Sequence, residues 1–178
     1  MNMKELKKYT KRNLFTRQCI GDALISLMAE HPFEEITTSD ICKRAGVSRM
    51  TFYHYFYTKT DALNNYIQEI FNSYVQRIEK PVSIERMKTY DHILNSVRFF
   101  DRYAPFALLL CKTGQYQILQ NAVNMYFEEY VAPNYTGSLY DLYFYSGALL
   151  NAYIKWEEKG RKETPEQIAE IVYRMLTP

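Results

Sequence analysis

Two short helices separated by a very tight turn constrain this chain more than any other feature of its sequence. Thr37 is a suitable helix N-cap, and Asp40, three residues later, completes a capping-box pattern. Gly46 is the residue type that ends such a helix in the left-handed conformation. Ser48 is already the next N-cap, and the second short helix, RMTFYHYF, follows it directly. This spacing predicts a helix-turn-helix.

The rest of the chain also has the periodicity of helices. Ile20, Leu24 and Leu27 share one buried stripe, and Thr58 with Asp61 repeats the cap pattern at the start of a long helix expected to end at Pro81. Only six Gly and six Pro are present, too few for the many turns of a β-sandwich. Further helices are predicted at 83–103, 105–112, 115–131, 138–159 and 165–176. We therefore expect an all-α fold of nine helices, with an N-terminal helix-turn-helix domain at 1–60 and a C-terminal bundle at 61–178.

Composition excludes several classes of protein. The first 60 residues hold ten Lys and Arg against six Asp and Glu, a weak indication that this part meets a polyanion. Three widely spaced cysteines without a C-x-x-C pair, and the lack of a signal peptide or membrane span, predict a reduced, cytoplasmic protein. The histidines His31, His54 and His92 are scattered, and no nucleophile motif or phosphate-binding loop occurs. We expect no enzyme activity, no metal and no cofactor.

The second short helix has side chains suited to reading DNA. Phe52 and Phe56, four residues apart, would anchor it to the domain and leave other side chains pointing outward. The residues expected to reach base edges are Arg49, Met50, Thr51 and Tyr53. The residues expected to meet phosphates or support the contact are Thr37, Thr38, Ser48, His54, Tyr55 and Lys59. The alternative is that the caps are purely structural and that the polar aromatic residues form an ordinary amphipathic surface.

The stretch FEEITTSDICKRAGVSRMTFYHYFYTKTDAL resembles the DNA-binding domain of the TetR/AcrR family of bacterial transcriptional regulators. The resemblance covers about residues 13–75 and includes Ala-Gly-Val-Ser at 45–48 and Thr-Phe-Tyr at 51–53. It implies an all-α homodimer whose three-helix head binds DNA. Met50 and Tyr57 depart from the family pattern, which often has a small residue and a lysine there. The operator is therefore expected to be unusual, with one phosphate contact missing.

The C-terminal two-thirds is rich in tyrosine, a side chain that can line a cavity with its ring and hydroxyl. The resemblance implies a ligand cavity among the middle helices, for which the candidates are Tyr90, Tyr103, Tyr126 and Tyr145. The alternative is that most of these tyrosines are ordinary core or surface residues. The stretch from Tyr145 to Leu176 also resembles a Firmicutes subgroup that includes regulators of dihydroxyacetone kinase operons.

The last two helices are expected to form a dimer interface, since the family pairs them into a four-helix bundle and small residues allow close approach. The interface candidates are Gly147, Ala148, Ala152, Ile168, Ile171, Val172 and Met175. A two-fold dimer requires a near-palindromic operator.

The resemblance therefore implies a regulator, in the first place a repressor that a small-molecule effector releases from double-stranded DNA. The alternative is a co-regulator that binds DNA only in complex with a protein partner.

Overall fold

The computed structural model describes residues 11–78 and 83–176. In these ranges the chain forms ten α-helices and no strand, which confirms the all-α prediction. The helices are α1 (Lys11–Glu30), α2 (Thr38–Ala45), α3 (Arg49–Tyr55), α4 (Lys59–Val75), α5 (Ile84–Met87), α6 (Tyr90–Asp101), α7 (Ala104–Lys112), α8 (Tyr116–Tyr126), α9 (Leu139–Glu158) and α10 (Pro165–Leu176). Short 3₁₀ turns lie at Phe33–Glu35 and Ala132–Asn134, and a π turn lies at Phe127–Val131.

The chain divides into two compact units, and the division falls within α4, between Ser73 and Tyr74. In the first unit, α1 packs against α2 and α2 against α3. The fully buried large apolar side chains of this unit come from these three helices and from α4: Ile20, Leu24, Ile41, Phe52, Leu63 and Ile67. This core fixes the orientation of α3, and with it the side chains that α3 presents to solvent.

The capping pattern predicted for α2 is confirmed. The Thr37 amide donates to Asp40 Oδ2 at 2.9 Å, and the Asp40 amide donates to Thr37 Oγ1 at 3.2 Å. Gly46 ends the helix at φ 68°, where a side chain would strain the backbone. The Ser48 hydroxyl then accepts from the Thr51 amide at 3.0 Å and caps α3. The helix-turn-helix is therefore held by bonds between residues that are close in sequence.

The second unit is built around α9. This helix packs against α7 and α8, while α10 packs mainly against α6. The contact between α6 and α10 buries Ile93, Ala169 and Val172 in one apolar cluster. An ion pair between Arg98 and Glu166, at 2.6 Å, joins the same two helices at the surface.

The predicted single helix at 83–103 is wrong, because the chain forms α5 and α6 with a break at Lys88 and Thr89. The Thr89 hydroxyl donates to the Arg86 carbonyl at 2.8 Å, which closes the first helix. The same hydroxyl oxygen accepts from the His92 amide at 3.4 Å and caps the second. One threonine thus ends one helix and begins another, raising the helix number from nine to ten.

Two other predicted helices differ at their C-terminal ends. Helix α4 ends at Val75 and is followed by a turn. The predicted end at Pro81 lies outside the described residues. The helix predicted at 115–131 is α-helical only to Tyr126 and then widens into the π turn. No described helix is long and apolar enough to span a bilayer.

Candidate nucleic-acid interface

Helix α3 turns one face to the core and the opposite face to solvent. Phe52 is fully buried, and Phe56 packs near it with 5.8 Å between the ring centroids. At 3.6 residues per turn, Met50 and His54 lie about 160° around the helix from Phe52. Met50 is 84% exposed, and His54 is exposed one turn later. These two residues lie farthest from the core, and we call this part of the outward face its crown. Arg49 and Tyr53 lie beside it on one side of the helix.

Tyr53 connects the outward face of α3 to the start of α2. The side chains of Thr38 and Arg49 lie beside its hydroxyl, and both lower the pKa of Tyr53. Arg49 and Tyr53 are four residues apart, so they lie on the same side of the helix. The structure therefore brings together Thr38, Arg49 and Tyr53, three of the residues predicted to bind DNA.

Two predicted contacts, Thr37 and Ser48, use their hydroxyls as helix caps. The Thr37 hydroxyl donates to Asp40 Oδ2 at 2.5 Å, and this bond and the one from the Thr37 amide hold the pKa of Asp40 below its usual range. Thr51 is half-buried, and its hydroxyl lies 2.9 Å from the Ser48 hydroxyl. The hydroxyls of this loop therefore already have partners within the protein.

Tyr55 and Lys59 also have partners within the first unit. The Tyr55 hydroxyl donates to Asn13 Oδ1 at 3.2 Å and so ties the end of α3 to α1. The sequence gave no signal for this pairing, which joins residues 42 positions apart.

The Lys59 ammonium group donates to three carbonyl oxygens of the segment before α2, two in the 3₁₀ turn and one in the residue that follows it. These are the carbonyls of Phe33 at 2.5 Å, Glu34 at 3.0 Å and Ile36 at 2.8 Å. The ammonium also lies 4.7 Å from the centre of the Phe33 ring. The structure therefore places this cation at a backbone turn, where it adds a second donor to the Phe33 carbonyl, which also accepts from the Ile36 amide.

A buried polar pair, Arg17 and Asn65, joins helices α1 and α4 within the first unit. Arg17 is only 3% exposed, and its Nε donates to Asn65 Oδ1 at 3.2 Å. Its guanidinium group also lies 5.1 Å from the centre of the Phe56 ring. Through Arg17, helix α1 thus holds both α4 and the residue that ends α3. Sequence reasoning missed this link, because nothing in a helical stripe marks an arginine as buried.

The four tyrosines predicted to line a cavity have different surroundings in the second unit. Tyr126 is buried and stacks on Tyr130 at 5.7 Å, and Tyr103 packs against the Phe99 ring. Tyr90 instead contacts Tyr173, and Tyr145 lies beneath the Lys88 ammonium group at 4.9 Å. Tyr90 also lines a shallow open groove along α10. Only Tyr103 and Tyr126 belong to a common aromatic cluster.

The centre of that cluster is Tyr74, which was not among the predicted pocket residues. Its ring lies 5.7 Å from that of Tyr126 and 5.1 Å from that of Phe99. Its hydroxyl lies 2.6 Å from Ser96 Oγ and 3.0 Å from His92 Nε2. Burial raises the pKa of Tyr74 to about 12. Burial also lowers the pKa of His92, with a smaller effect from Arg86, so the cluster favours neutral groups.

The predicted interface residues on α9 and α10 divide between surface and core. Val172 is buried in the cluster with Ile93, and Ala152 packs against that cluster, so both face the interior of their own unit. Met175 is 77% exposed, Ala148 is exposed, and a Cβ added at Gly147 would meet no atom within 4 Å. Ile168 and Ile171 are half-buried.

The exposed face of α9 has larger apolar residues than sequence reasoning selected. Tyr140 is 80% exposed and Phe144 is 72% exposed. Together with Ala148 they follow the i, i+4, i+8 spacing of one helix face. The four-residue spacing of these side chains is visible in the sequence. The prediction did not use it, because it selected small residues on α9.

Comparison with known proteins gives these surfaces a context. Residues 20–64 match the family described as bacterial regulatory proteins, tetR family, and residues 89–178 match the family described as transcriptional regulator C-terminal region. The fatty acid metabolism regulator protein of Bacillus subtilis (strain 168) is 33% identical over 63 residues, which are 35% of this chain. The chain spans only 32% of the length of that relative.

A solved structure supports the fold. The fatty acid degradation regulator FadR from Bacillus halodurans superposes with a TM-score of 0.53, covering 95% of this chain and 96% of that one at 18% identity. The first family match covers the helix-turn-helix, and the second covers half of the whole chain. The chain therefore belongs to the TetR family of bacterial regulatory proteins.

Proposed function

We propose that this regulator is a repressor that binds a near-palindromic operator as a homodimer and is released by a small-molecule effector. The outward face of α3 carries the proposal, because it presents Arg49, Met50, Tyr53 and His54 to solvent from a helix anchored by Phe52. Recognition helices of this type enter the major groove and read base edges with their N-terminal residues. Because its operator would be part of the bacterial chromosome, the protein would act in the cytoplasm.

A homodimer through α9 and α10 is supported by the exposed apolar face of α9. Tyr140, Phe144 and Ala148 would be covered by the same residues of a second copy, as a two-fold interface requires. Met175 extends the apolar surface on α10. Two heads related by such an axis would reach major grooves about 34 Å apart or a multiple of that distance.

Release by an effector requires a ligand that prefers the non-binding state, because equal affinity for both states shifts nothing. The aromatic cluster around Tyr74 supports an effector with an apolar body and one polar group, since its rings pack beside two hydroxyls and one imidazole. Tyr74 and Lys59 lie near opposite ends of α4. Because two proteins similar to this chain are named as regulators of fatty acid metabolism, fatty acids are the first effectors to test.

The experiment is a gel-shift titration of the purified full chain against the DNA upstream of its own gene, at stated salt and with excess random DNA. The size of the complex is measured by light scattering. A specific shift by two chains per operator supports a direct dimeric regulator. The opposite outcome is a folded monomer that shifts DNA only after a protein partner is added, which would favour the co-regulator instead.

The effector step is tested on the same complex with fatty acids of increasing chain length. Release of the DNA, together with a higher melting temperature of the free protein, supports the proposal. Operator binding that no tested compound changes would overturn the fatty acid part of the proposal and leave DNA binding intact.

A further inference from the structure

We propose that Met50 reads the 5-methyl group of a thymine in each operator half-site. The inference rests on the proposed function, because it requires α3 to lie in the major groove. It adds a chemical feature of the operator, namely an apolar contact at the position that Met50 reaches.

Position and exposure set Met50 apart from the buried methionines of the two units. Met28 and Met87 are 2% and 6% exposed, whereas Met50 is 84% exposed near the start of α3. It lies on the crown of the outward face, opposite Phe52. A side chain on that crown, close to the helix N-terminus, enters the groove farthest when the helix docks.

The chemistry of the groove then identifies what Met50 contacts. A thioether side chain has no hydrogen to donate and is only a weak acceptor, so it gains little from the polar edges of bases. The 5-methyl group of thymine is the apolar group exposed on the floor of the major groove. The unbranched methionine side chain can adapt to a methyl group whose position differs slightly between base steps.

Thr51 is the other residue of α3 with a methyl group that could serve this purpose. It is half-buried, and its hydroxyl is hydrogen-bonded to that of Ser48. This bond restricts the Thr51 side chain to one rotamer, held against the protein. Arg49, whose guanidinium lies beside the Tyr53 hydroxyl, is suited to guanine rather than to a methyl group. The outward face thus divides into a polar flank at Arg49 and an apolar crown at Met50.

The test begins with selection of bound sequences from a random 24-base-pair pool, of about two helical turns, by the full chain. Each thymine of the selected half-site is then replaced by deoxyuridine, which removes only the methyl group. Loss of one buried methyl group is expected to weaken binding by about fourfold at one position. Met50→Ala should bind the thymine and the deoxyuridine operators equally, while Met50→Leu should keep the difference.

Each outcome has a separate meaning. An equal loss with deoxyuridine in the wild-type protein and in Met50→Ala would show that another residue, such as Thr51, contacts the methyl group. No loss at any thymine would equally overturn the proposal. A pool that yields no enriched sequence would count against direct operator binding, which is the proposed function itself. Because Met50 is so exposed, Met50→Ala should melt at the wild-type temperature, which serves as the control for folding.

Discussion

Lys59 is expected to stabilise the first unit rather than to attract DNA phosphates. Its ammonium group has three hydrogens, and the structure directs them to three carbonyl oxygens at 2.5, 3.0 and 2.8 Å. Lys59→Met keeps the aliphatic stem and removes all three bonds. The carbonyls of Phe33 and Ile36, which lie in part-buried surroundings, would then lack this partner.

The size of the effect follows from these contacts. Hydrogen bonds to charged groups contribute about 1.5 kcal/mol or more when buried, and less where water reaches them. Two part-buried bonds, one exposed bond and the contact with the Phe33 ring together give about 2 to 4 kcal/mol. That is a large fraction of the stability of a typical domain, which is about 5 to 15 kcal/mol.

Hydrogen exchange of the α2 and α3 amides is the appropriate assay, because it reports on the first unit alone. A loss of about 3 kcal/mol corresponds to an approximately hundredfold loss of protection. The only tryptophan, Trp156, lies in the second unit, so its fluorescence provides an internal control that should not change.

Lys59→Arg separates the two roles of the cation. Arginine keeps the charge, but its planar group cannot direct donors to three carbonyls around one point. It should therefore destabilise the first unit as well. The reasoning is refuted if Lys59→Met leaves protection unchanged but lowers the salt slope of DNA binding by about one, with Lys59→Arg restoring it. That result would assign Lys59 to a phosphate contact, as the sequence predicted.

Three further changes test the rest of the proposed function. Arg49→Ala should reduce the preference for operator over random DNA by about 1 to 3 kcal/mol in competition gel shifts; an equal loss on both DNAs would contradict base reading. Phe144→Lys should give a folded monomer by light scattering and weaken operator binding, because it places a charge on the exposed face of α9; an unchanged dimer would exclude this face. Burial lowers the pKa of His92 below its ordinary value of 6.5, so the unfolded chain binds more protons, and stability should fall as pH decreases below about 6.5. His92→Gln should reduce this dependence in thermal melts, whereas an identical pH profile would show that His92 is not its source.

The helix-turn-helix could be predicted because its determinants are local. Thr37 with Asp40, and Ser48 with Thr51, are pairs three residues apart, so the sequence alone shows that they can bond. Gly46 marks the turn for an equally local reason, since its left-handed backbone suits glycine. The reading helix therefore followed from residue type and spacing before any packing was known.

The break between α5 and α6 was missed because helical periodicity continues across it. Ile84, Met87 and Leu94 keep the three- and seven-residue spacings of a single stripe. Thr89 is a poor interior residue but is not incompatible with a helix. We attribute the break at Thr89 to the packing of α6 against α10. The periodicity of the sequence carries no information about that packing.

Tyr74, the centre of the aromatic cluster of the second unit, was missed for a related reason. Tyr74 and Tyr126 meet across 52 positions, and the sequence offers many tyrosines of similar surroundings. Composition shows only that tyrosines are abundant. Which of them pack together is decided by the tertiary fold. The π turn after Tyr126 adds a further shift in register that no spacing rule would have placed.

Lys59 shows how a correct local rule can still lead to an incomplete role. A lysine in the first turn of a helix faces the positive end of the helix dipole, which is unfavourable unless an anion or other acceptor is near. The prediction from the sequence was that a DNA phosphate is this acceptor. The fold supplies another, since the 3₁₀ turn at Phe33–Glu35 and Ile36 after it place three carbonyls within reach of the ammonium. The unfavourable position is thus already compensated in the free protein, and a phosphate would have to displace bonds that hold the turn preceding α2.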